Sequence, residues 1–349
     1  MIADELIGSL RQAQSAWTEA LATVTGVKMP ASPPLAQTPR DELPLEGGAR
    51  LLHFRGTATI AKPILLVPSM INRWYVLDLR PGASLVEALV GAGFDVWLLD
   101  WGTPQPEDKY LDWDSVLRRL GRAVRRVQRE TNQPKIALFG YCMGGTLTAI
   151  RAAQHPDHLA AFITLAAPID FSLGGMLRCM VDPRWFDADA IANAGNVAPS
   201  QMQAGFTALR PTLEAAKWMS SPDLAADPKA RDGFLALEAW ASDNIPFPGE
   251  AYRRYITEMY QGNELALGTH HANGKRAPLS AITCPVLAIT ASRDTICPPP
   301  AATALLELVG SKDTAELQVP GGHVGAVVGS KAAKEMYPGL IKWLAPRLA

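Results

Sequence analysis

The stretch Lys135-Ile136-Ala137-Leu138-Phe139-Gly140-Tyr141-Cys142-Met143-Gly144-Gly145 constrains the fold more than any other. A short apolar run ends in a glycine-flanked turn and passes at once into residues at helical spacing. An apolar run without polar alternation is a strand buried on both faces, which requires a parallel sheet covered by helices. Five further runs read the same way: Pro63–Pro68, Phe94–Leu99, Ala160–Leu165, Pro285–Thr290 and, more weakly, Ala315–Val319. The spacing between them predicts helices over 83–92, 113–131, 144–154, 299–309 and 331–345. Strands that alternate with helices in this way make an α/β fold with a mostly parallel sheet.

The alternation stops between residues 172 and 278. That stretch carries Trp185, Phe186, Trp218, Trp240, Phe247, Tyr252, Tyr255 and Tyr260, with helical patches and no clear strand. It reads as an inserted helical cap, or lid. The core is therefore expected in two parts, 49–171 and 279–349, around a cap at 172–278. Before them, residues 1–48 read as an N-terminal region. Within it, 2–25 has the apolar spacing of an amphipathic helix (Leu6, Leu10, Ala13, Trp17, Leu21, Val24), and the Pro-rich 28–48 reads as a linker.

Of the 349 residues, 48% are hydrophobic and 19% charged, so the chain is globular. With 33 basic and 34 acidic residues, nucleic acid is not an expected partner. No window approaches ~18 uninterrupted apolar residues, and the start lacks a signal-peptide pattern, so a cytoplasmic protein without a membrane span is expected. The four cysteines, Cys142, Cys179, Cys284 and Cys297, form no CxxC pair. They are expected to be reduced, with no metal and no bound cofactor.

Gly140-Tyr141-Cys142-Met143-Gly144 has the G-x-S-x-G nucleophile-elbow pattern with Cys in place of Ser. No Gly-x-Ser-x-Gly occurs elsewhere to compete with it. A side chain held at a strained strand-to-helix turn needs tiny residues two before and two after it. The helix N-terminus beyond it favours a thiolate and a developing oxyanion. The backbone N–H of Met143 is one expected oxyanion donor. A second is expected near Ser69-Met70-Ile71, and Met70 is the residue assigned to it.

An elbow of this kind takes its acid and then its base further along the chain. Asp294 follows the Pro285–Thr290 run and His323 follows Ala315–Val319, so both sit where strand carboxyl ends converge. Asp294 would orient the His323 imidazole, and His323 would take the Cys142 proton. Among the other histidines, His53 lies in an early strand in a half-buried surface role. His155 and His158 lie in a turn, and His270 and His271 in a polar loop. A thiol nucleophile keeps an acyl group activated as a thioester, which favours transfer to a hydroxyl over hydrolysis. Transfer also needs water excluded, a task for an aromatic-rich cap. A cysteine thioesterase, esterase or polyester depolymerase is the alternative on this fold.

Taken together, these residues resemble a family. From about residue 50 to the end the chain is similar to polyhydroxyalkanoate synthases, especially the short class III type. The resemblance rests on Leu66–Leu79, Val96–Gly102, Gly140–Thr146, Ala167–Phe171, Trp240–Asp243, Pro248–Tyr255, Ser292-Arg293-Asp294 and Gly322-His323. It implies the α/β-hydrolase fold and an acyltransferase that polymerises (R)-3-hydroxyacyl-CoA into polyester and releases CoA. It also implies a growing chain carried on Cys142, a homodimer formed through the cap, a second non-catalytic subunit, and a place at the polymer granule surface. The family pattern has His after the aspartate, where this chain has Thr295. Asp243-Asn244-Ile245-Pro246-Phe247 in the cap also departs from the commoner forms.

Overall fold

The computed structural model describes residues 33–209 and 227–349. The expected helix over 2–25 lies outside the described residues. Eight strands form the main sheet. They are β1 Arg40–Pro44, β2 Arg50–Phe54, β3 Ile64–Val67, β4 Val96–Asp100, β5 Ile136–Tyr141, β6 Leu159–Leu165, β7 Val286–Ala291 and β8 Thr314–Val319. Their spatial order is β1-β2-β4-β3-β5-β6-β7-β8. The pairs from β4 across to β8 are parallel, whereas β1 with β2 and β2 with β4 are antiparallel.

The central strands are buried from end to end, which is why they read as unbroken apolar runs. Alternate residues still serve different faces. Leu65, Val67 and Leu99 join a core with the helix Trp113–Thr131, whereas Ile64, Leu66 and Leu98 join one with the helix Tyr337–Leu348. The edge strand β8 keeps only Val319 fully buried and exposes Thr314, Glu316 and Gln318, which accounts for its weaker signal.

The stretch expected to be a linker differs. It contains β1, which pairs with β2 around a tight turn at Glu46–Gly48. Its burial is slight, so no apolar alternation betrays it.

Nine helices matter for the site. They are α1 Leu85–Gly91, α2 Trp113–Thr131, α3 Met143–Gln154, α4 Ala188–Asn193, α5 Pro199–Ala208, α6 Pro228–Ser242, α7 Gly249–Arg254, α8 Pro299–Leu308 and α9 Tyr337–Leu348. α2 starts where Asp112 Oδ1 accepts from the Ser115 N–H at 2.7 Å and ends at Asn132 in the left-handed conformation, an ordinary start and stop. Among the described residues between β6 and β7, α4, α5, α6 and α7 form the helical cap. It also holds a ribbon of two-residue strands, His271–Ala272 and Lys275–Arg276.

The cap is tied to the loop after β3 by side-chain hydrogen bonds. Asp243 accepts from Arg73 Nε at 3.1 Å and from the Tyr75 hydroxyl at 2.7 Å. Asn72 Nδ2 donates to Asn244 Oδ1 at 2.6 Å, and Trp240 Nε1 donates to the Arg73 carbonyl at 2.9 Å. On the other side, Trp113 at the start of α2 is fully buried and stacks on Tyr255 of the cap with 5.6 Å between ring centres. Its indole N–H is buried without a partner. Trp113→Ala should therefore destabilise the protein by about 3–5 kcal/mol. Trp113→Phe, which removes the orphan donor and keeps a ring, should cost under ~1.5 kcal/mol. Urea midpoints of the two variants check this, and equal losses would contradict it.

Candidate active site

The sheet places the site. β3 and β5 are neighbours, and the helices that follow them, α1 and α3, pack on opposite faces of the sheet, so the loops at their carboxyl ends part around a crevice. Cys142 stands at its edge, immediately after β5 and immediately before α3. Its φ of 54° and ψ of −129° are a conformation that L-residues rarely adopt. Two backbone bonds hold it there. The Cys142 N–H donates to the Leu165 carbonyl at 3.0 Å, and the Cys142 carbonyl accepts from the Gly145 N–H at 2.8 Å.

The glycines around it have steric reasons. A methyl group on Gly140 would stand 2.2 Å from Thr148 Oγ1 and 2.4 Å from the Gly145 Cα. One on Gly144 would stand 2.2 Å from the Val67 carbonyl oxygen. One on Gly145 would stand 2.2 Å from the Ala167 Cβ. The first turn of α3 therefore lies directly against the end of β3. This contact brings the Met143 N–H, at the start of the helix and without an intrahelical acceptor, next to the loop that carries Ser69, Met70 and Ile71. Met70 is buried, and Trp101 Nε1 braces the same loop by donating to the Pro68 carbonyl at 2.9 Å.

Asp294 and His323 are both buried. His323 Nδ1–H donates to Asp294 Oδ2 at 2.7 Å. The other carboxylate oxygen, Oδ1, accepts from the backbone N–H groups of Ile296 and Cys297 at 2.9 Å each, so the aspartate is fixed in orientation. Since Nδ1 is used by Asp294, Nε2 is the nitrogen left for Cys142, which lines the same chamber. Burial alone would push the imidazole's pKa down. The negative charges of Cys142 and Asp294, with hydrogen bonds to both, outweigh it and push the pKa up to about 10. The buried ring of Tyr141 packs 5.4 Å from the imidazole.

Cys142 lies where two cavities meet. One, of about 320 Å³, is partly polar and is lined by Asn72, Gln203, Asn244, Arg293, Thr295 and His323. The other, of about 220 Å³, is apolar and is lined by cap residues including Leu177, Met202, Phe247, Tyr255 and Tyr260, with Ile71. Burial pushes the phenols of Tyr255 and Tyr260 well above their usual range, so they stay neutral. Thr295 thus borders the chamber that contains the candidate base.

The structure brings Cys142, Met143 and His323 to the same chambers, with Asp294 bonded to His323, whereas Met70 is buried on the loop after β3 and lines neither chamber. The other histidines lie elsewhere. His53 is half-buried, stacks on Trp97 at 4.0 Å and bonds Asp95 at 2.8 Å. His271 is exposed. His270 is not in a solvated loop as expected. It is fully buried, with Nδ1 3.2 Å from Glu258 and 3.5 Å from Glu264. The acids that receive it come from a different element, which spacing does not reveal. Sequence reasoning also missed the pairing of Asn72 with Asn244 and the choice of cap aromatics that face the thiol. The motif residues were visible, but which face of the cap turns inward was not.

Comparison with known proteins agrees with this geometry. A family model described as alpha/beta hydrolase fold matches residues 62–329. The chain is 35% identical over 288 residues to the poly(3-hydroxyalkanoate) polymerase subunit PhaC of Allochromatium vinosum, covering 82% of this chain and 81% of that protein. It is 33% identical to the subunit of the same name from Haloferax mediterranei over 90% of this chain, where it spans 65% of the relative's length. The Synechocystis protein of that name is 30% identical, covering 89% of this chain and 85% of its own. Among solved structures, a soluble variant of monoglyceride lipase from Saccharomyces cerevisiae superposes with a TM-score of 0.58 at 15% identity, over 92% of this chain and 100% of that one. The putative non-heme bromoperoxidase BpoC from Mycobacterium tuberculosis gives 0.55 at 14%, over 90% of this chain and 98% of that one. Those two likenesses concern the fold. The sequence relatives go further: this chain belongs to the poly(3-hydroxyalkanoate) polymerase PhaC family, built on the alpha/beta hydrolase fold.

Proposed function

We propose that this chain is an acyltransferase that polymerises (R)-3-hydroxyacyl-CoA into polyhydroxyalkanoate, with Cys142 as nucleophile, His323 as acid and base and Asp294 as its orienting partner. The observation that carries the reading is a cysteine elbow that shares a chamber with a buried, hydrogen-bonded His–Asp pair, at the junction of two chambers. The names of the relatives supply the acyl class.

The chemistry follows from the arrangement. The Cys142 sulfur attacks the thioester carbonyl, forming a C–Sγ bond. The oxyanion is held by the N–H groups of Met143 and Met70, and a donor of this kind is worth about 10²–10³ in rate. As the bond to CoA breaks, the His323 imidazolium gives its proton to the departing thiolate. The now neutral imidazole takes the proton from the 3-hydroxyl of a second acyl unit, whose oxygen attacks the Cys142 thioester; the C–Sγ bond breaks, the ester forms, and the Cys142 thiolate is released beside the new imidazolium. Thioester exchange nearly conserves free energy, and the final oxygen ester lies downhill. The apolar chamber keeps water from competing with the hydroxyl. The pantetheine arm of CoA suits the more polar chamber, and the acyl part suits the apolar one. No bound cofactor enters these steps.

Assembly belongs to the same proposal. Leu173, Met176 and Trp185, at the start of the cap, are 45%, 60% and 62% exposed. An exposed apolar patch of this kind suits pairing of two copies through the cap, or a second, non-catalytic subunit. It also suits attachment to the apolar surface of a polymer granule in the cytoplasm. Among the described residues no helix is long and apolar enough to cross a membrane.

Incubation with 3-hydroxybutyryl-CoA tests the assignment. CoA release accompanied by insoluble polyester is expected, whereas equal amounts of CoA and free acid without polymer would turn the reading to a thioesterase. Cys142→Ala should reduce CoA release to background. Cys142→Ser should lose transfer severely, because an oxygen ester removes the driving force for the second step, and near-wild-type polymer yield from it would contradict the mechanism. Asp294→Asn removes one of the charges that raise the His323 pKa. The imidazolium should then lose its proton about 1–2 pH units lower than in wild type. NMR titration of the imidazole reads this directly, and an unchanged titration would rule out Asp294 as the group that orients and charges His323.

A further inference from the structure

Arg151, in the last turn of α3, is only 4% exposed, yet among the described residues no carboxylate pairs with it. A buried guanidinium without a counter-charge is costly and calls for an explanation. Its Nη2 donates to His158 Nδ1 at 2.9 Å, and its Nε is buried with no partner. Other cations surround it. A point one methyl group out from Gly121 lies 3.3 Å from Arg125 Nη1 and 3.8 Å from Arg151 Nε, so the two guanidiniums converge over that glycine. Arg125 and Arg129 stand one turn apart on the exposed face of α2 and enter none of the ion pairs seen among the described residues, whereas their neighbour Arg126 is neutralised by Glu130 at 2.6 Å. Burial and the charge of Arg125 together pull the Arg151 pKa down to about 10. His158 is lowered too, by burial first and then by Arg151. Arginine can only donate, so His158 accepts on Nδ1 and carries its proton on Nε2.

Arg125, Arg129 and His158 line a surface concavity of about 600 Å³ together with the amide side chains of Gln128, Asn132 and Gln133. Asp157 is the one acidic residue on that lining. Two arginines and a histidine on one concavity, with a further buried guanidinium bonded to that histidine, outweigh the single aspartate and are what a multiply charged oxyanion requires. The concavity lies at the amino end of β5, beside Pro134, while Cys142 follows its carboxyl end. Six strand residues at ~3.3 Å each put about 20 Å between them. We propose that this concavity is an anion site for phosphate groups, separate from the thioester site, with Arg125, Arg129 and His158 as direct donors and Arg151 as the buried charge behind them. A free phosphate or a phosphoanhydride chain meets the same donors, and the anhydride, with more oxygens, engages both arginines at once.

Calorimetric titration of the full chain with inorganic phosphate, pyrophosphate and, at matched ionic strength, chloride tests this. Binding of phosphate, stronger for pyrophosphate and absent for chloride, is expected, with the affinity reduced at least tenfold in Arg125→Gln/Arg129→Gln. Those residues are exposed, so the variant should fold, and its CoA release in phosphate-free buffer should match wild type. Cys142→Ala should bind pyrophosphate as wild type does, which separates this site from the acyl-transfer reading. Binding no stronger than chloride, or undiminished in the double variant, would overturn the proposal. So would loss of binding in Cys142→Ala, because the ligand would then sit at the thioester site.

Discussion

The contact on which the rest depends is the approach of Gly144 to the end of β3. No side chain fits between α3 and the carbonyls of Val67 and Pro68. Because the helix lies that close, the chain must turn from strand to helix within a single residue. That residue, Cys142, bears a positive φ that costs on the order of 1–3 kcal/mol. The surrounding sheet holds the strain through the bonds of Cys142 to Leu165 and Gly145. What the strain provides is aim: the sulfur stands off the sheet edge, with a helix N-terminus behind it and the loop after β3 alongside.

The same architecture carries a monoglyceride lipase and a putative non-heme bromoperoxidase at about 15% identity, so the fold alone does not choose the reaction. The choice lies in three local features. Sulfur replaces oxygen at the elbow. The surroundings of the imidazole, with its hydrogen bond to Asp294, favour its protonated form. The nucleophile faces two chambers instead of one cleft. A thioester acceptor needs the first, departure of a thiolate gains from the second, and accommodating an acyl chain together with an incoming acyl thioester needs the third. All three point the same way, to transfer.

Much of this was legible in the sequence for reasons that can be named. Strands buried on both faces cannot alternate, so β3, β4, β5 and β7 announce themselves. The elbow is readable because its glycines answer contacts within a few residues or across one fixed crossing. Asp294 and His323 are readable because strand carboxyl ends must converge in a parallel sheet. β1 was not legible, since a strand at the open edge buries little and needs no apolar pattern. The fate of His270 was hidden for a different reason: it depends on Glu258 and Glu264, which reach it through packing of the cap and not through a periodic pattern. The cap as a whole reads poorly because its short helices bury one face against the core, and which face is settled by tertiary contact.

That tertiary contact has chemical content. The hydrogen bonds to Asp243 and Asn244 do not join the cap to an arbitrary part of the core. They join it to Asn72, Arg73 and Tyr75, within five residues of Met70 on the loop proposed to supply the second oxyanion donor. Trp240 seals the same junction by donating to the Arg73 carbonyl and lines the polar chamber with Asn72 and Asn244. A shift of the cap would therefore act on the chamber wall and on the oxyanion loop together. The far end of that loop is pinned by Trp101 at Pro68, and the elbow glycine presses on the same carbonyl. Cap, loop and elbow form one mechanically continuous unit, in which the seating of the cap bears on both the chamber wall and the loop proposed to supply the second donor.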